Sequence, residues 1–183
     1  SHTKINMFLN PEKIISKLGL LEGHKVADFG AGNGVYSVLA AKKVGLTGRV
    51  YAIEVHRELV TTIRNLFKNE GVEKTTEVIW ADFEKLLGTK IKDEIIDRAI
   101  LANTLFLLPD KKGALMEIKR VMKPGSKIML IDWSDSFDNM GPVPDMVVTS
   151  EMARELFEKN GFRFVENVDG AGDHHYGMIF ERI

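Results

Sequence analysis

Two kinds of hydrophobic pattern alternate along the chain. Short runs of mostly apolar residues predict buried β-strands, and segments in which apolar residues recur every three or four positions predict helices that face a core. The predicted strands cover residues 25–29, 49–54, 77–80, 95–101, 127–132, 162–168 and 176–182. The predicted helices cover residues 10–18, 34–43, 58–69, 112–122 and 149–160, with a short helix at 83–87.

The order of these elements predicts an α/β fold. Strands alternate with helices as far as residue 160, which favours parallel strands joined by right-handed crossovers. No helix separates the last two strands, so we expect them to form an antiparallel hairpin. Residues 1–183 are therefore expected to form a single domain, a Rossmann-like three-layer sandwich. The long irregular stretch at residues 133–148 predicts a lid over a substrate.

The first part of the chain, residues 1–24, is expected to precede the sheet. Ser1-His2-Thr3-Lys4 has no apolar stretch of the kind found in a signal peptide and is typical of the remnant of an expression tag. Asn10-Pro11 predicts the start of a helix, because Asn is a favoured N-cap and Pro is tolerated in the first turn. Gly19 is expected to end that helix.

Composition narrows the classes of function. The chain has 183 residues with a net charge of −1, so there is no general basic surface, and nucleic acid is disfavoured as a partner. It contains no Cys, which excludes disulfides, thiolate metal sites and a Cys nucleophile. No apolar run is long enough to span a membrane. We therefore expect a soluble cytoplasmic protein.

The first predicted strand leads into a glycine-rich turn, Asp28-Phe29-Gly30-Ala31-Gly32-Asn33-Gly34. Glycines there leave the backbone N–H groups of a helix start open to a ligand, because a Cβ would block the approach. A dinucleotide site requires a third glycine where this sequence has Val35. A carboxylate at Asp28 would repel a pyrophosphate and suits a cationic ligand. The alternative interpretation is a tight strand–helix turn that binds nothing.

Two further acids follow the second and third predicted strands. Glu54 lies about twenty residues after the glycine turn, where a carboxylate can accept hydrogen bonds from both hydroxyls of a ribose. Val55 next to it can pack on an adenine face. Asp82 can accept a hydrogen bond from an adenine amine, and Phe83 can add an aromatic contact. The alternative role of Asp82 is to cap the short helix at 83–87.

These segments, together with Leu101-Ala102-Asn103 and Met122-Lys123-Pro124-Gly125, resemble class I S-adenosylmethionine-dependent methyltransferases. The sequence is most similar to the type 11, or ubiquinone/menaquinone-biosynthesis, group that acts on small molecules. The resemblance extends from about Lys25 to the end of the sequence. It implies a seven-stranded sheet of order 3-2-1-4-5-7-6 with strand 7 antiparallel. It also implies S-adenosylmethionine as the cofactor, with S-adenosylhomocysteine as the product.

The resemblance also assigns roles to individual residues. Asp28 would hold the methionine end of the cofactor, Glu54 the ribose and Asp82 the adenine. The full set of predicted cofactor-binding residues is Asp28, Gly30, Ala31, Gly32, Gly34, Glu54, Val55, Asp82, Phe83 and Asn103. The sequence departs from two subgroups of the family. Ala102-Asn103-Thr104-Leu105 replaces the N/D-P-P-Y/F segment of amino-methylating members, and the absence of Cys disfavours arsenite and cysteine-using cytosine methyltransferases.

Four residues near the ends of strands are candidates for the acceptor site. Parallel strands present their carboxyl ends to the cofactor, and the last hairpin turns at the same edge. Asp132, Trp133, His174 and His175 are therefore expected near the methyl group. We predict that Asn103 and Trp133 contact the substrate and that His174 or His175 is the catalytic base. The alternative is that both histidines lie at a solvated hairpin tip. No metal site is expected, because successive strand residues point to opposite faces.

The function that these patterns favour is methyl transfer to a small-molecule acceptor by in-line displacement. An RNA or protein methyltransferase of the same fold is an alternative, although no basic groove or added recognition domain is visible. A non-catalytic module with the same fold is another. A dehydrogenase is disfavoured by Val35. The acceptor and the oligomeric state, including a homo-oligomer, are left open.

Overall fold

The computed structural model describes residues 10–183 and contains five α-helices and seven β-strands within them. The helices are α1 (Pro11–Ile15), α2 (Val35–Val44), α3 (Arg57–Asn69), α4 (Lys111–Val121) and α5 (Ser150–Lys159). The strands are β1 (Lys25–Phe29), β2 (Arg49–Glu54), β3 (Thr76–Trp80), β4 (Ile96–Ala102), β5 (Met122–Trp133), β6 (Phe162–Asn167) and β7 (His175–Arg182). Short 3₁₀ helices form at Ser16–Leu18, Leu105–Leu107 and Pro144–Met146.

All seven strands form one sheet of order β3-β2-β1-β4-β5-β7-β6. The pairs among β1 to β5 are parallel, and β7 pairs antiparallel with both β5 and β6. The predicted fold and strand order are therefore confirmed. This topology brings the carboxyl ends of β1, β2, β4 and β5 to one edge of the sheet.

Helices cover both faces of the sheet and form two hydrophobic cores. On one face, apolar side chains of α1, α2 and α3, such as Ile14, Val38 and Ile63, pack against the strands. On the other face, α4 and α5 contribute residues such as Leu115 and Phe157. This arrangement is the expected three-layer sandwich. Within residues 10–183, no helix has the length and apolarity required to cross a membrane.

The structure has a helix, α1, at the position where Asn10-Pro11 predicts a helix start. The side chain of Asn10 accepts a hydrogen bond from Lys13 N, and Pro11 is the first helical residue. The 3₁₀ turn that follows α1 ends at Gly19, which has a left-handed φ of +68°. The predicted tag remnant, Ser1 to Lys4, lies outside the described residues.

Two local predictions were wrong. Residues 83–87 form turns instead of a helix, because Leu87 N and Thr89 N donate to the buried carboxylate of Glu117 on α4. Strand β5 begins at Met122 and not at residue 127, because Met122 pairs with Ile96 ahead of a register shift in β4. Both differences arise from contacts with residues distant in sequence.

Candidate active site

A cavity of about 710 Å³ lies at the carboxyl ends of β1, β2 and β4, where open parallel sheets commonly bind ligands. Its volume falls within the range of small-molecule sites. Most of the residues predicted to bind the cofactor line this cavity, namely Asp28, Gly30, Ala31, Gly32, Glu54, Val55, Phe83 and Asn103. The topology therefore brings together residues from four separate segments of the chain.

The glycine turn after β1 forms one wall of the cavity. Gly30 and Gly32 have left-handed φ values of +72° and +57°, which glycine adopts without strain. The N–H groups of Gly30 and Ala31 donate to Ile53 O at 2.9 and 3.0 Å and fix the turn against β2. A Cβ on Gly30 would lie 2.6 Å from the side chain of Thr104, whereas a Cβ on Gly32 would meet nothing nearer than 3.9 Å. A side chain at position 32 would therefore occupy space that a ligand needs.

Asp28 and Tyr36 contribute polar groups to the lining of the cavity. Asp28 is buried, and its carboxylate accepts a hydrogen bond of 2.7 Å from Ser37 Oγ. Burial raises the pKa of Asp28 to about 7; the Ser37 hydrogen bond opposes the rise, and the charge of Glu54 adds to it. Burial, together with the charge of Asp28, raises the pKa of Tyr36 to about 12, so its hydroxyl remains a donor. That hydroxyl is buried without a partner among residues 10–183.

Glu54 is buried at the end of β2 and is held by three backbone N–H groups. One carboxylate oxygen accepts from Gly32 N at 2.9 Å. The other accepts from Val55 N at 2.9 Å and from His56 N at 3.0 Å. Because a carboxylate has about four acceptor positions, one remains for a ligand without breaking these bonds. The carboxylate thus links the glycine turn to the turn after β2.

The turn after β3 contributes Phe83 and Glu84 to the cavity, but not Asp82. Phe83 is buried, and its ring packs at 60° to that of Phe29, with 5.3 Å between the centroids. Asp82 accepts a hydrogen bond of 3.0 Å from Glu84 N and so stabilises a turn, since no helix forms there for it to cap. Its predicted contact with adenine stays a prediction.

Gly34 also lies outside the cavity lining. Its φ is +82°, and a Cβ at this position would lie 3.2 Å from the side chain of Leu66 and 3.4 Å from that of Ile63. Glycine is therefore required here for the close packing of α2 against α3. Its predicted cofactor contact remains untested by this geometry.

Asn103 follows β4 with a left-handed φ of +53°, a conformation that Asn adopts more readily than most residues. Its backbone N–H donates to Ile131 O at 2.8 Å, so the residue is anchored to β5. Its side-chain oxygen is buried without a partner among residues 10–183. An unpaired buried acceptor in a cavity wall can receive a hydrogen bond from a ligand N–H group.

The charge of the cavity suits a cationic ligand. Its described lining contains the carboxylates of Asp28, Glu54 and Glu84 and no Lys or Arg. S-adenosylmethionine carries an ammonium and a sulfonium group and no phosphate. The unpaired hydroxyl of Tyr36 and the unpaired oxygen of Asn103 supply a donor and an acceptor for its carboxylate and ammonium. The residues present therefore fit this cofactor better than they fit a dinucleotide.

The predicted catalytic histidines lie at the β6–β7 hairpin and do not line the large cavity. His174 Nδ1 lies 2.8 Å from Asp135 Oδ1, and its ring stacks on Phe137 with 3.9 Å between centroids. Ser134 N also donates to His174 O. These contacts hold the start of the 133–148 loop against the hairpin.

His175 pairs with Trp133 across β5 and β7, and their ring centroids are 4.1 Å apart. Both ring nitrogens of His175 are buried without partners among residues 10–183. Burial lowers the pKa of His175, and the neighbouring His174 lowers it further, so its ring is neutral near pH 7. His175 lines a second cavity of about 490 Å³ together with Lys13 and Asp173.

Asp132 and Trp133 do not face the same way, because successive strand residues point to opposite sides of the sheet. The carboxylate of Asp132 is buried and accepts hydrogen bonds from Phe106 N at 3.1 Å and from Trp133 N at 2.8 Å. Burial raises the pKa of Asp132 to about 6. Its evident role is to anchor the 3₁₀ turn Leu105–Leu107 beside the cavity. No group of three or more His, Asp or Glu side chains in the described chain is arranged to bind a metal.

The sequence reasoning missed several residues that line the cavity. Tyr36 lies two residues after the glycine motif, within the predicted helix at 34–43, and no role was predicted for it. Leu107, Leu108 and Pro109 form an apolar wall, and Pro11 at the start of α1 contributes from another side. The exposure of Leu107, at 55%, is visible only once the fold is known.

Comparison with known proteins identifies the family. The profile of the family described as "Methyltransferase domain" matches residues 20–171. The ubiquinone/menaquinone biosynthesis C-methyltransferase UbiE of Cupriavidus taiwanensis is 32% identical over 120 residues, which is 66% of this chain and 47% of that protein. UbiE of Chromobacterium violaceum is 34% identical over 127 residues, 69% of this chain and 50% of that protein. The chain thus spans about half the length of these curated relatives.

Two solved structures superpose on nearly the whole chain. A SAM-dependent methyltransferase from Aquifex aeolicus superposes with a TM-score of 0.87 at 29% identity, covering 99% of this chain and 94% of the other. A protein from Sulfolobus solfataricus described as a type 11 methyltransferase shares the fold, with 19% identity and a TM-score of 0.78, covering 96% of this chain and 93% of the other. The family match, the strand order and the glycine turn agree, and the chain belongs to the class I S-adenosylmethionine-dependent methyltransferase family.

Proposed function

We propose that this chain transfers a methyl group from S-adenosylmethionine to a small-molecule acceptor. The observation that carries the proposal is a cavity whose described lining has two buried carboxylates, Asp28 and Glu54, and no Lys or Arg. The structural relative from Aquifex aeolicus is a SAM-dependent methyltransferase, which supports the choice of cofactor. The UbiE relatives are biosynthetic C-methyltransferases, which supports a small molecule as acceptor.

Different residues of the cavity lining suit different parts of the cofactor. Asp28, Tyr36 and Asn103 would hold the amino acid end, by charge and by hydrogen bonds to the unpaired hydroxyl and amide oxygen. Glu54 would accept a hydrogen bond from one ribose hydroxyl at its remaining acceptor position, and Val55 and Phe83 would flank the adenine. When bound, S-adenosylmethionine supplies a methyl group on a sulfonium, which makes the methyl carbon electrophilic.

The part of the chain in this reaction is alignment and exclusion of water. Leu107, Leu108 and Pro109 form an apolar wall beside Asn103 and suit an acceptor with an apolar portion. We propose that Asn103 and Trp133 contact the acceptor and that the 133–148 loop covers it. The hydrogen bond from Tyr176 OH to Val148 O, 2.7 Å long, anchors the far end of this loop to β7.

A base is required only if the acceptor loses a proton during transfer. Of the two candidate histidines, His175 is the better suited. Burial keeps its ring neutral, and neither ring nitrogen has a partner among residues 10–183. The ring of His174 is instead engaged by Asp135 and Phe137. We therefore propose His175 as the proton acceptor and His174 as an anchor of the loop. This role requires the acceptor to extend from the large cavity to the second cavity, which His175 lines.

Titration calorimetry against S-adenosylmethionine, S-adenosylhomocysteine and NAD tests the choice of cofactor. Both adenosyl compounds should bind, and NAD should bind far more weakly because the cavity carboxylates repel its pyrophosphate. Tight NAD binding with no response to S-adenosylhomocysteine would overturn the proposal. A subsequent screen of candidate acceptors, read by product mass, separates an enzyme from a module that only binds the cofactor. RNA and peptide substrates belong in the same screen.

Replacing Glu54 tests the ribose contact. Glu54→Gln should weaken S-adenosylhomocysteine binding by roughly 5- to 30-fold, because a charged acceptor is lost and an amide NH₂ group then faces backbone N–H groups. Calorimetry measures the change. The matched control is Glu58→Gln in the first turn of α3. The Glu58 side chain is 79% exposed, so this variant should bind S-adenosylhomocysteine normally. Unchanged affinity in a folded Glu54→Gln protein contradicts the assignment.

The raised pKa of Asp28 predicts a pH-dependent affinity. The pKa of Asp28 is about 7 in the folded protein, above its ordinary value. Its protonation therefore stabilises the folded state at low pH, and this contribution to the free energy of unfolding is lost as the pH rises through 7. A ligand ammonium favours the ionised form and has the opposite dependence. S-adenosylhomocysteine binding should therefore weaken by up to about tenfold per pH unit below pH 7. Calorimetry from pH 5.5 to 8 measures this, and Asp28→Asn should remove the slope.

A further inference from the structure

Trp80 occupies an unusual position for a large aromatic residue. It is the last residue of the edge strand β3, and the residue is 58% exposed. Its indole Nε1 nevertheless donates a hydrogen bond of 2.9 Å to the backbone oxygen of Val55. The guanidinium of Arg57 lies over the ring, 5.1 Å from its centroid. Both contacts fix the indole on the turn between β2 and α3.

That turn is one wall of the large cavity, since Val55 and His56 both line it. On its inner side, the carboxylate of Glu54 accepts from Val55 N and His56 N. On its outer side, the Trp80 indole is the partner of Val55 O, and Ala81 N donates to Glu54 O at 3.1 Å. The turn after β2 is therefore tied to the end of β3, from which the turn carrying Phe83 continues.

We propose that Trp80 is a positioning residue for the adenosyl end of the cofactor, an inference that rests on the proposed function. Trp80 does not line the cavity, so it acts through Val55. By holding the Val55 carbonyl outward, the indole sets the spacing between Val55 and the facing wall at Phe83. An exposed side chain with this bond contributes little to the hydrophobic core, and its effect is on the shape of the cavity.

Trp80→Phe tests this inference, because it removes the indole donor and keeps an aromatic ring beneath Arg57. Calorimetry should show S-adenosylhomocysteine bound about three- to tenfold more weakly, the range expected for one hydrogen bond. The dissociation constant for 5′-methylthioadenosine, which contains only the adenosyl end, should rise by the same factor. The unfolding temperature without ligand should stay within about 2 °C of the wild type, as for most surface changes. Glu77→Gln, an exposed change on the same strand, should bind both compounds normally.

Three results would overturn the inference. One is a folded Trp80→Phe protein with wild-type affinity for both compounds. Another is a loss for S-adenosylhomocysteine alone, which would locate the effect at the methionine end. The third comes from NMR of the wild-type protein, which does not depend on whether the variant folds. The signal of the Trp80 indole N–H should exchange slowly with solvent and should shift when S-adenosylhomocysteine is added. A signal that exchanges fast and does not shift excludes the proposed role. Absence of binding by the wild type would instead refute the proposed function.

Discussion

His175→Ala is expected to lower the rate of methyl transfer by about 10²- to 10⁴-fold and to leave the affinity for S-adenosylhomocysteine unchanged. The reason is the neutral, half-buried imidazole of His175, which lies next to Trp133. Both of its ring nitrogens are buried and have no partner in residues 10–183. The effect requires an acceptor that loses a proton during transfer. Turnover is measured with the acceptor identified by the product-mass screen, over a range of pH.

The comparison variant is His174→Ala. It removes the contacts to Asp135 and Phe137, so we expect a loosened loop and a smaller loss of rate. In the wild type the rate should fall on the acid side as His175 becomes protonated, and His175→Ala should flatten this limb. Equal, wild-type rates in both variants would mean that the enzyme works by alignment alone. A large loss in His174→Ala with none in His175→Ala would reverse the two roles.

Gly32→Val is expected to weaken S-adenosylhomocysteine binding by at least about 100-fold. Two effects combine. A β-branched residue at φ +57° is strained by roughly 1–3 kcal/mol. Its side chain also extends into the cavity, where the nearest protein atom is Gly30 O at 3.9 Å from the added Cβ. Calorimetry and thermal unfolding measure the two effects separately.

The matched control is Gly71→Val in the turn after α3. Gly71 has a similar φ of +68°, and a Cβ there would meet nothing within 4 Å, so the backbone strain is reproduced away from the cavity. Both variants should lose a similar amount of stability, and only Gly32→Val should lose affinity. Equal affinities in the two variants would show that the glycine turn does not contact the cofactor.

Much of the fold could be predicted from local sequence patterns. Strand β1 and the turn that follows it were visible because a buried run leads straight into Gly30, and the positions of Asp28 and Glu54 followed from the ends of two such strands. The hairpin of β6 and β7 was visible because no helical pattern separates them. These features depend on residues close together in the chain, which is why the sequence alone indicated them.

The missed features depend on contacts between distant residues. The expected helix at 83–87 does not form because Glu117, on another element, supplies the backbone partners. Tyr36 follows a helical pattern, and only the fold shows that its hydroxyl is buried in the cavity wall. Trp80 ends a strand in sequence, and its bond to Val55 O exists because β2 and β3 are neighbours. Periodicity contains no information about such partners.

The position of β7 between β5 and β6 has a consequence for how the chain folds during synthesis. Within the described sheet, β5 and β6 do not pair with each other, and each is bonded to β7. β6 leaves the ribosome before β7, so it has no strand partner until His175–Arg182 has been made and inserted. During that interval the edge of β5 is an open template for another chain. Completion of the sheet therefore waits for β7, and slow elongation between β6 and β7 would prolong the interval in which nascent chains can aggregate.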